Sequence, residues 1–207
     1  MRPLLDYFYP IVPDLAWMVR IVPLGVRTVQ LRLKDAAPAE VRRQIAGSLE
    51  ICRQHRCDLI INDYWQEAIA LGADFLHLGQ EDLAAADVTA IKAAGVRLGI
   101  STHSEEELEI ALAAKPDYVA LGPIYETKLK VMKWGPQGLD RIGAWKRRIG
   151  GLPLCCIGGI TPERAPGAVV AGGDSIAVIT DFFTHADPEA RVREWLAWAD
   201  RVRRPSF

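Results

Sequence analysis

The side chains most able to do chemistry fall just after short apolar runs. Gln30, Arg32 and Lys34 alternate, so an extended chain points all three to one side. Asn62 and Asp63 close the next run, and His77, Gln80, Glu81 and Asp82 belong to the one after it. Ser101, Thr102 and His103 follow, then Thr127, Lys128 and Lys130, then Gly158 and Gly159, and last Thr180 and Asp181. Asp63 and Asp82, two carboxylates on neighbouring loops with the Asn62 amide beside them, suit a hard divalent cation such as Mg2+, which prefers oxygen ligands and keeps several waters. Arg32, Lys34 and Lys130, with Lys128 as a further candidate, suit a polyphosphate around such a metal. Turns at Gly158-Gly159 and Thr180 offer backbone N–H groups to a phosphate. Two anion sites, one of them metal-assisted, imply two phosphorylated substrates. From the residues alone the inference stops at a phosphate-handling enzyme.

Each residue also has an ordinary explanation. The Gln-x-Arg-x-Lys series can be an ion-paired layer inside a barrel. Asp63 and Asp82 can cap the helices that follow them. Gly158-Gly159 can be a tight turn, and His77, His103 and the six tryptophans can be packing or surface residues. Their joint placement after successive strands is what favours a site.

Positioning them requires a regular scaffold, and the hydrophobic period supplies one. Apolar runs at 8–12, 28–33, 59–61, 75–78, 97–100, 118–121, 153–157 and 175–179 predict strands. Helical spacing occupies 15–24, 38–55, 65–71, 84–94, 104–114, 139–149, 163–171 and 188–202. Ser104 with Glu107 makes a capping-box pattern, and Gly25, Gly72, Gly95 and Gly172 end helical stretches. Continuous rather than alternating apolar runs indicate a parallel sheet buried on both faces. Strict alternation over residues 1–207, without a linker, predicts an α/β protein made of a single (β/α)8 TIM barrel, with an open doubly wound sheet as the competitor. In such a barrel the site lies at the C-terminal ends of the strands.

Composition excludes several classes. Half of the 207 residues are apolar and a quarter charged, which is a folded chain rather than a disordered one. With 25 basic against 26 acidic side chains, no bulk charge attracts nucleic acid. The longest uncharged stretch, residues 149–162, is broken by Gly and Pro and does not suit a membrane span. The first residues do not form a secretory signal. Cys52, Cys57, Cys155 and Cys156 have no C-x-x-C spacing, as expected of reduced core thiols in a cytoplasmic protein. Oligomeric state is not legible, and a homo-oligomer stays open.

At these same residues the chain resembles the thiamine-phosphate synthase (thiamine-phosphate pyrophosphorylase) family. The likeness runs from Tyr9-Pro10-Ile11-Val12 to the C-terminal helix, through Val29-Gln30-Leu31-Arg32-Leu33-Lys34, Ile61-Asn62-Asp63, His77-Leu78-Gly79-Gln80-Glu81-Asp82, Gly99-Ile100-Ser101-Thr102-His103, Leu121-Gly122-Pro123-Ile124-Tyr125, Ile157-Gly158-Gly159-Ile160 and Ala177-Val178-Ile179-Thr180. The resemblance implies a transferase of thiamine biosynthesis, joining 4-amino-2-methyl-5-hydroxymethylpyrimidine diphosphate to thiazole phosphate and releasing pyrophosphate. It implies Mg2+ on Asp63 and Asp82. Gln30, Arg32, Lys34, Asn62, Ser101 and Lys130 would hold the pyrimidine diphosphate, with Lys130, Arg32, Lys34 and Ser101 serving catalysis. Thr127, Gly159, Ile179 and Thr180 would hold the thiazole phosphate. Residues 128–138, with Met132, Trp134 and Pro136, are expected to form a mobile loop over the site.

Departures from the family pattern are few. Leu129 replaces the second Thr of Thr-x-Thr-Lys, Thr180 replaces a Ser, and Tyr64-Trp65 is a bulkier pair than usual. The alternatives are a thiazole tautomerase, which uses a His where this chain has Pro123, and a non-catalytic regulator that binds thiazole phosphate.

Overall fold

Each apolar run becomes a short parallel strand: β1 (Phe8–Val12), β2 (Thr28–Leu31), β3 (Asp58–Asn62), β4 (Phe75–Leu78), β5 (Arg97–Thr102), β6 (Tyr118–Leu121), β7 (Leu154–Ile157) and β8 (Ser175–Val178). In the computed structural model these pair in sequence order, and β8 closes on β1 with Tyr9 opposite Ala177. The structure describes residues 3–126 and 134–203. A closed parallel barrel has no free edge, which decides against the open sheet.

Alternation along the strands sorts side chains into two layers. Tyr9, Ile11, Ile60, Phe75, Tyr118, Ala120, Cys155 and Ala177 fill the barrel interior. Phe8, Val12, Leu59, Ile61, Leu76, Val119 and Cys156 point outward and are covered by helices. Those helices are α1 (Leu15–Ile21), α2 (Pro38–His55), α3 (Trp65–Ala70), α4 (Gln80–Ala85), α5 (Val88–Ala93), α6 (Glu105–Ala113), α7 (Gly138–Ile149), α8 (Ala165–Val170), α9 (Thr180–Phe183) and α10 (Pro188–Arg203). All four cysteines are buried and none is in a disulfide, and burial pushes the Cys155 thiol up to about 12.

Three places differ from the pattern read along the chain. The run at 28–33 stops as a strand at Leu31, although the Arg32 N–H still donates to the Val12 carbonyl at 2.8 Å. Beyond it Asp35 takes φ 53, a left-handed turn that ends the extended segment. The single helix expected at 84–94 is two: Ala86 is extended, and the Asp87 carboxylate accepts from Ala90 N to cap a fresh start. Helix α9 appears directly after β8, where only a turn is expected. The Ser104–Glu107 box does form, but the Glu107 carboxylate accepts from the His103 backbone N–H at 2.7 Å.

Candidate active site

Asp63 follows β3 at φ 67, a conformation rarely adopted by residues other than Gly, Asn and Asp. Its backbone N–H donates to the His77 carbonyl at 3.0 Å, and the Asn62 amide donates to its carboxylate. Asp82 lies in the first turn of α4 and leans back over the strand end, its Oδ2 3.3 Å from where a Cβ on Gly79 would stand. The two carboxylates are within hydrogen-bonding reach of each other. Burial, then the charge of Asp82, pushes Asp63 up to about 6, while Arg32 and the Gly79 N–H oppose the shift. A shallow cleft opens beside the pair, lined by Tyr64, Trp65, Gln66 and Ala85.

This donor set can be tested against Mg2+. Two hard oxygens that repel each other gain by sharing a cation. Among the described residues no group of three or more His, Cys, Asp or Glu is placed to hold a metal ion together. A metal here would therefore complete its shell with water or substrate, which is how Mg2+ binds and Zn2+ in a structural site does not. The residues fit Mg2+.

Along β2 the expected series grades from interior to solvent. Gln30 is buried, Arg32 is half-buried and Lys34 is exposed beyond the strand end. Ser101 on β5 is half-buried, its carbonyl accepting from Gln80 Nε2 at 2.7 Å and its hydroxyl 2.8 Å from His77 Nε2. His77 is buried, and its other nitrogen, Nδ1, meets the Tyr118 hydroxyl at 2.8 Å. Burial pushes His77 down to about 4, with the charges of Arg32 and His103 adding to the effect, so the ring is neutral. Thr102 points the other way, bridging the Ala120 carbonyl and the Trp145 indole, which is packing. His103 binds Glu107 at 2.7 Å and stacks on Trp134 at 6.3 Å between ring centres.

Across the mouth, β7 ends in Gly158 (φ 99) and Gly159 (φ 64). A Cβ on Gly159 would lie 2.4 Å from the Glu126 carbonyl, and one on Gly158 2.6 Å from Pro123. Neither position admits a side chain, so backbone is what these residues present. Ile179 and Thr180 open α9. Asp181 anchors that turn, accepting from Arg191 Nε at 2.8 Å, from Arg191 Nη2 at 2.9 Å and from Trp195 Nε1 at 2.7 Å.

The structure thus brings together Asn62, Asp63, Asp82 and Arg32 on one side, and sets Gly159, Ile179 and Thr180 on the strands opposite. Thr127 and Lys130 lie outside the described residues, as does most of the expected loop at 128–138. The sequence does not single out Tyr9 and Tyr118, and it offers His77 both as a rim residue and as ordinary packing. The available signal was a His inside the apolar strand Phe75–Leu78, on the face that turns inward.

The sequence model of the family described as thiamine monophosphate synthase matches residues 9–182. A thiamine-phosphate synthase of Rhizobium etli is 57% identical over 193 residues, 93% of this chain and 95% of that protein. Its counterpart in Klebsiella pneumoniae is 44% identical over 191 residues, 92% and 90% of the two chains. Among solved structures, a thiamine phosphate pyrophosphorylase from Pyrococcus furiosus superposes with a TM-score of 0.82 at 24% identity, covering 94% of this chain and 96% of that one. At that identity the last similarity speaks for the fold.

Proposed function

The chain belongs to the thiamine monophosphate synthase family, and from that premise we infer how its rim divides the work of making thiamine phosphate. The enzyme is a transferase that joins the pyrimidine methyl diphosphate to thiazole phosphate and releases pyrophosphate. The observation that carries the division of labour is the pair Asp63 and Asp82, held face to face with the charge of Arg32 beside them.

Asp63 and Asp82 would hold Mg2+, which when bound supplies positive charge against the departing pyrophosphate. Arg32, Lys34 and Lys130 add fixed cations where negative charge develops on the leaving oxygen. Gln30, Asn62 and Ser101 orient the pyrimidine diphosphate on the same side. Gly159, Ile179 and Thr180, with Thr127, hold the thiazole by its phosphate across the mouth. A nucleophile fixed by its remote phosphate is already aimed at the carbon that loses pyrophosphate, so orientation replaces covalent catalysis. The buried thiols agree with this, since burial raises Cys155 and Cys156 well away from the thiolate range.

Neither alternative gains support. After β6 comes Gly122-Pro123 rather than a His. The intact carboxylate pair has no purpose in a protein that only binds thiazole phosphate. No helix among the described residues is long and apolar enough to cross a membrane. The reading places the enzyme in the cytoplasm, acting on small molecules and on neither nucleic acid nor membrane. A homo-oligomer is compatible with it, and no residue named comes from a second chain.

The test is an assay of purified protein with both substrates, with and without Mg2+, detecting product as fluorescent thiochrome after oxidation. Metal-dependent product is expected. Equal product in excess chelator would remove Mg2+ from Asp63 and Asp82, and no product under either condition would defeat the reaction itself.

A further inference from the structure

Gln30 and Ser101, both assigned above to the pyrimidine diphosphate, are the two ends of one chain of hydrogen bonds through the barrel. Gln30 Nε2 donates to the Tyr9 hydroxyl at 2.7 Å, and the Tyr9 and Tyr118 hydroxyls lie 3.1 Å apart. Tyr118 is 2.8 Å from His77 Nδ1, and His77 Nε2 is 2.8 Å from Ser101 Oγ. Five strands contribute one member each. Gln30, Tyr9, Tyr118 and His77 are all buried.

Each hydroxyl and the ring have one proton to place, so the chain could run either way. Tyr9 decides the direction. Its oxygen already accepts from Gln30, and its only other side-chain partner among the described residues is Tyr118. Were Tyr118 to donate to Tyr9, the Tyr9 proton would be buried with no acceptor, which is costly. Tyr9 therefore donates to Tyr118, and Tyr118 to His77 Nδ1. The imidazole proton then sits on Nε2 and is donated to Ser101 Oγ. What remains over is the hydroxyl proton of Ser101, at the half-buried mouth of the barrel.

We propose that His77 is a positioning residue that fixes Ser101 as a hydrogen-bond donor toward an acceptor atom of the pyrimidine diphosphate. A serine hydroxyl alone can donate or accept. Here His77 donates to the Ser101 oxygen from inside and cannot take its proton, so the group meets the substrate with that proton already aimed outward. A donor set before the substrate arrives costs no reorganisation when charge develops. Burial keeps every member neutral through the ordinary pH range, with Tyr9 and Tyr118 held far above the usual phenol value and His77 at about 4. The backbone makes room for the relay: a Cβ on Gly99 would fall 2.0 Å from Tyr118 Cζ, so only glycine lets that ring lie across β5. Tyr118 and His77 are stacked, with ring centres 5.6 Å apart.

The inference rests on the functional reading above, and its test separates the two. Nitrogen-15 NMR of the full chain labelled at its four histidines reports the tautomer directly, with His77→Gln assigning the signal. The expected result is one histidine locked as Nε2–H with Nδ1 unprotonated at neutral pH. An Nδ1–H tautomer, or a freely exchanging ring, overturns the relay. Tyr118→Phe keeps the ring and removes one link. It should release the locked tautomer and raise KM for the pyrimidine diphosphate about tenfold, the scale of one lost buried hydrogen bond. KM for thiazole phosphate should stay unchanged. No change, or an equal rise in both, overturns Ser101 as the relay's outlet. A native chain that forms no thiamine phosphate defeats the functional reading, while the tautomer still decides the relay.

Discussion

Two aspartates at opposite ends of the barrel show how differently the same side chain can be used. Asp6, at the closed end below β1, is buried and satisfied: both its oxygens accept from Arg203 Nη1 at 2.6 Å, and Phe8 N donates to Oδ1 at 3.2 Å. Its backbone N–H and carbonyl are bound by Thr28 and Ser175 hydroxyls. Asp63, at the open end, faces another carboxylate and is pushed up to about 6. The closed end is satisfied within the fold, while the open end holds two carboxylates whose charges oppose each other. Opposed charge of this kind is the feature on which the proposed division of the rim rests.

That contrast can be broken from either end. Asp82→Ala should cost turnover about 10³-fold, on the scale of a lost charge-stabilising group, with no loss of thermal stability, because it removes a repelling partner. Activity assays and melting curves on one preparation check both halves, and near-normal turnover with unchanged Mg2+ dependence would end the metal assignment. Asp6→Ala should do the reverse. Removing the buried carboxylate that Arg203 Nη1 and Phe8 N bind, while Arg203 keeps Asp200, costs about 2 kcal/mol in urea unfolding, at unchanged kcat below the transition. Lys130→Ala should lower kcat about 10²-fold, and a change confined to thiazole affinity would move that residue to the other substrate.

The smallest effect concerns pH. His77 has a folded value of about 4 against 6.5 ordinarily, so its neutral form favours the folded chain above pH 6.5. As pH falls from 6.5 toward 4, the unfolded chain takes up a proton that the folded chain refuses, and stability is lost. The slope contributed is at most about 1.4 kcal/mol per pH unit, one proton's worth. Urea midpoints measured across that window should show a shallower fall in His77→Gln than in the native chain. Identical slopes would mean that His77 ionises freely in the fold.

The barrel was legible because its strands are uninterrupted apolar runs, and Asp63 and Asp82 because they follow such runs. What escaped was set by packing across the barrel. Tyr9 and Tyr118 are 109 positions apart in the chain, and nothing local to either announces that their hydroxyls meet. Helix α9 escaped for a related reason: one turn from Thr180 to Phe183 is too short for any period, and it is Arg191 and Trp195 of α10 that hold its Asp181. The break between α4 and α5 rests on one cap at Asp87, weaker in sequence than the helical spacing around it.

Helix α10 grips the chain at both ends of the barrel, through Arg203 on Asp6 and Arg191 on Asp181, while its Trp195 stacks on Phe8 of β1 at 5.3 Å. The first strand of the barrel is thus covered by a helix that follows all eight strands in the chain. Until residues 188–203 have left the exit tunnel, β1 lacks part of its cover and Asp6 lacks Arg203, the nearer of its two arginines. A nascent chain stalled before that helix would leave Phe8 without Trp195 over it, so covering of this seam is a late event in synthesis whatever order the strands adopt.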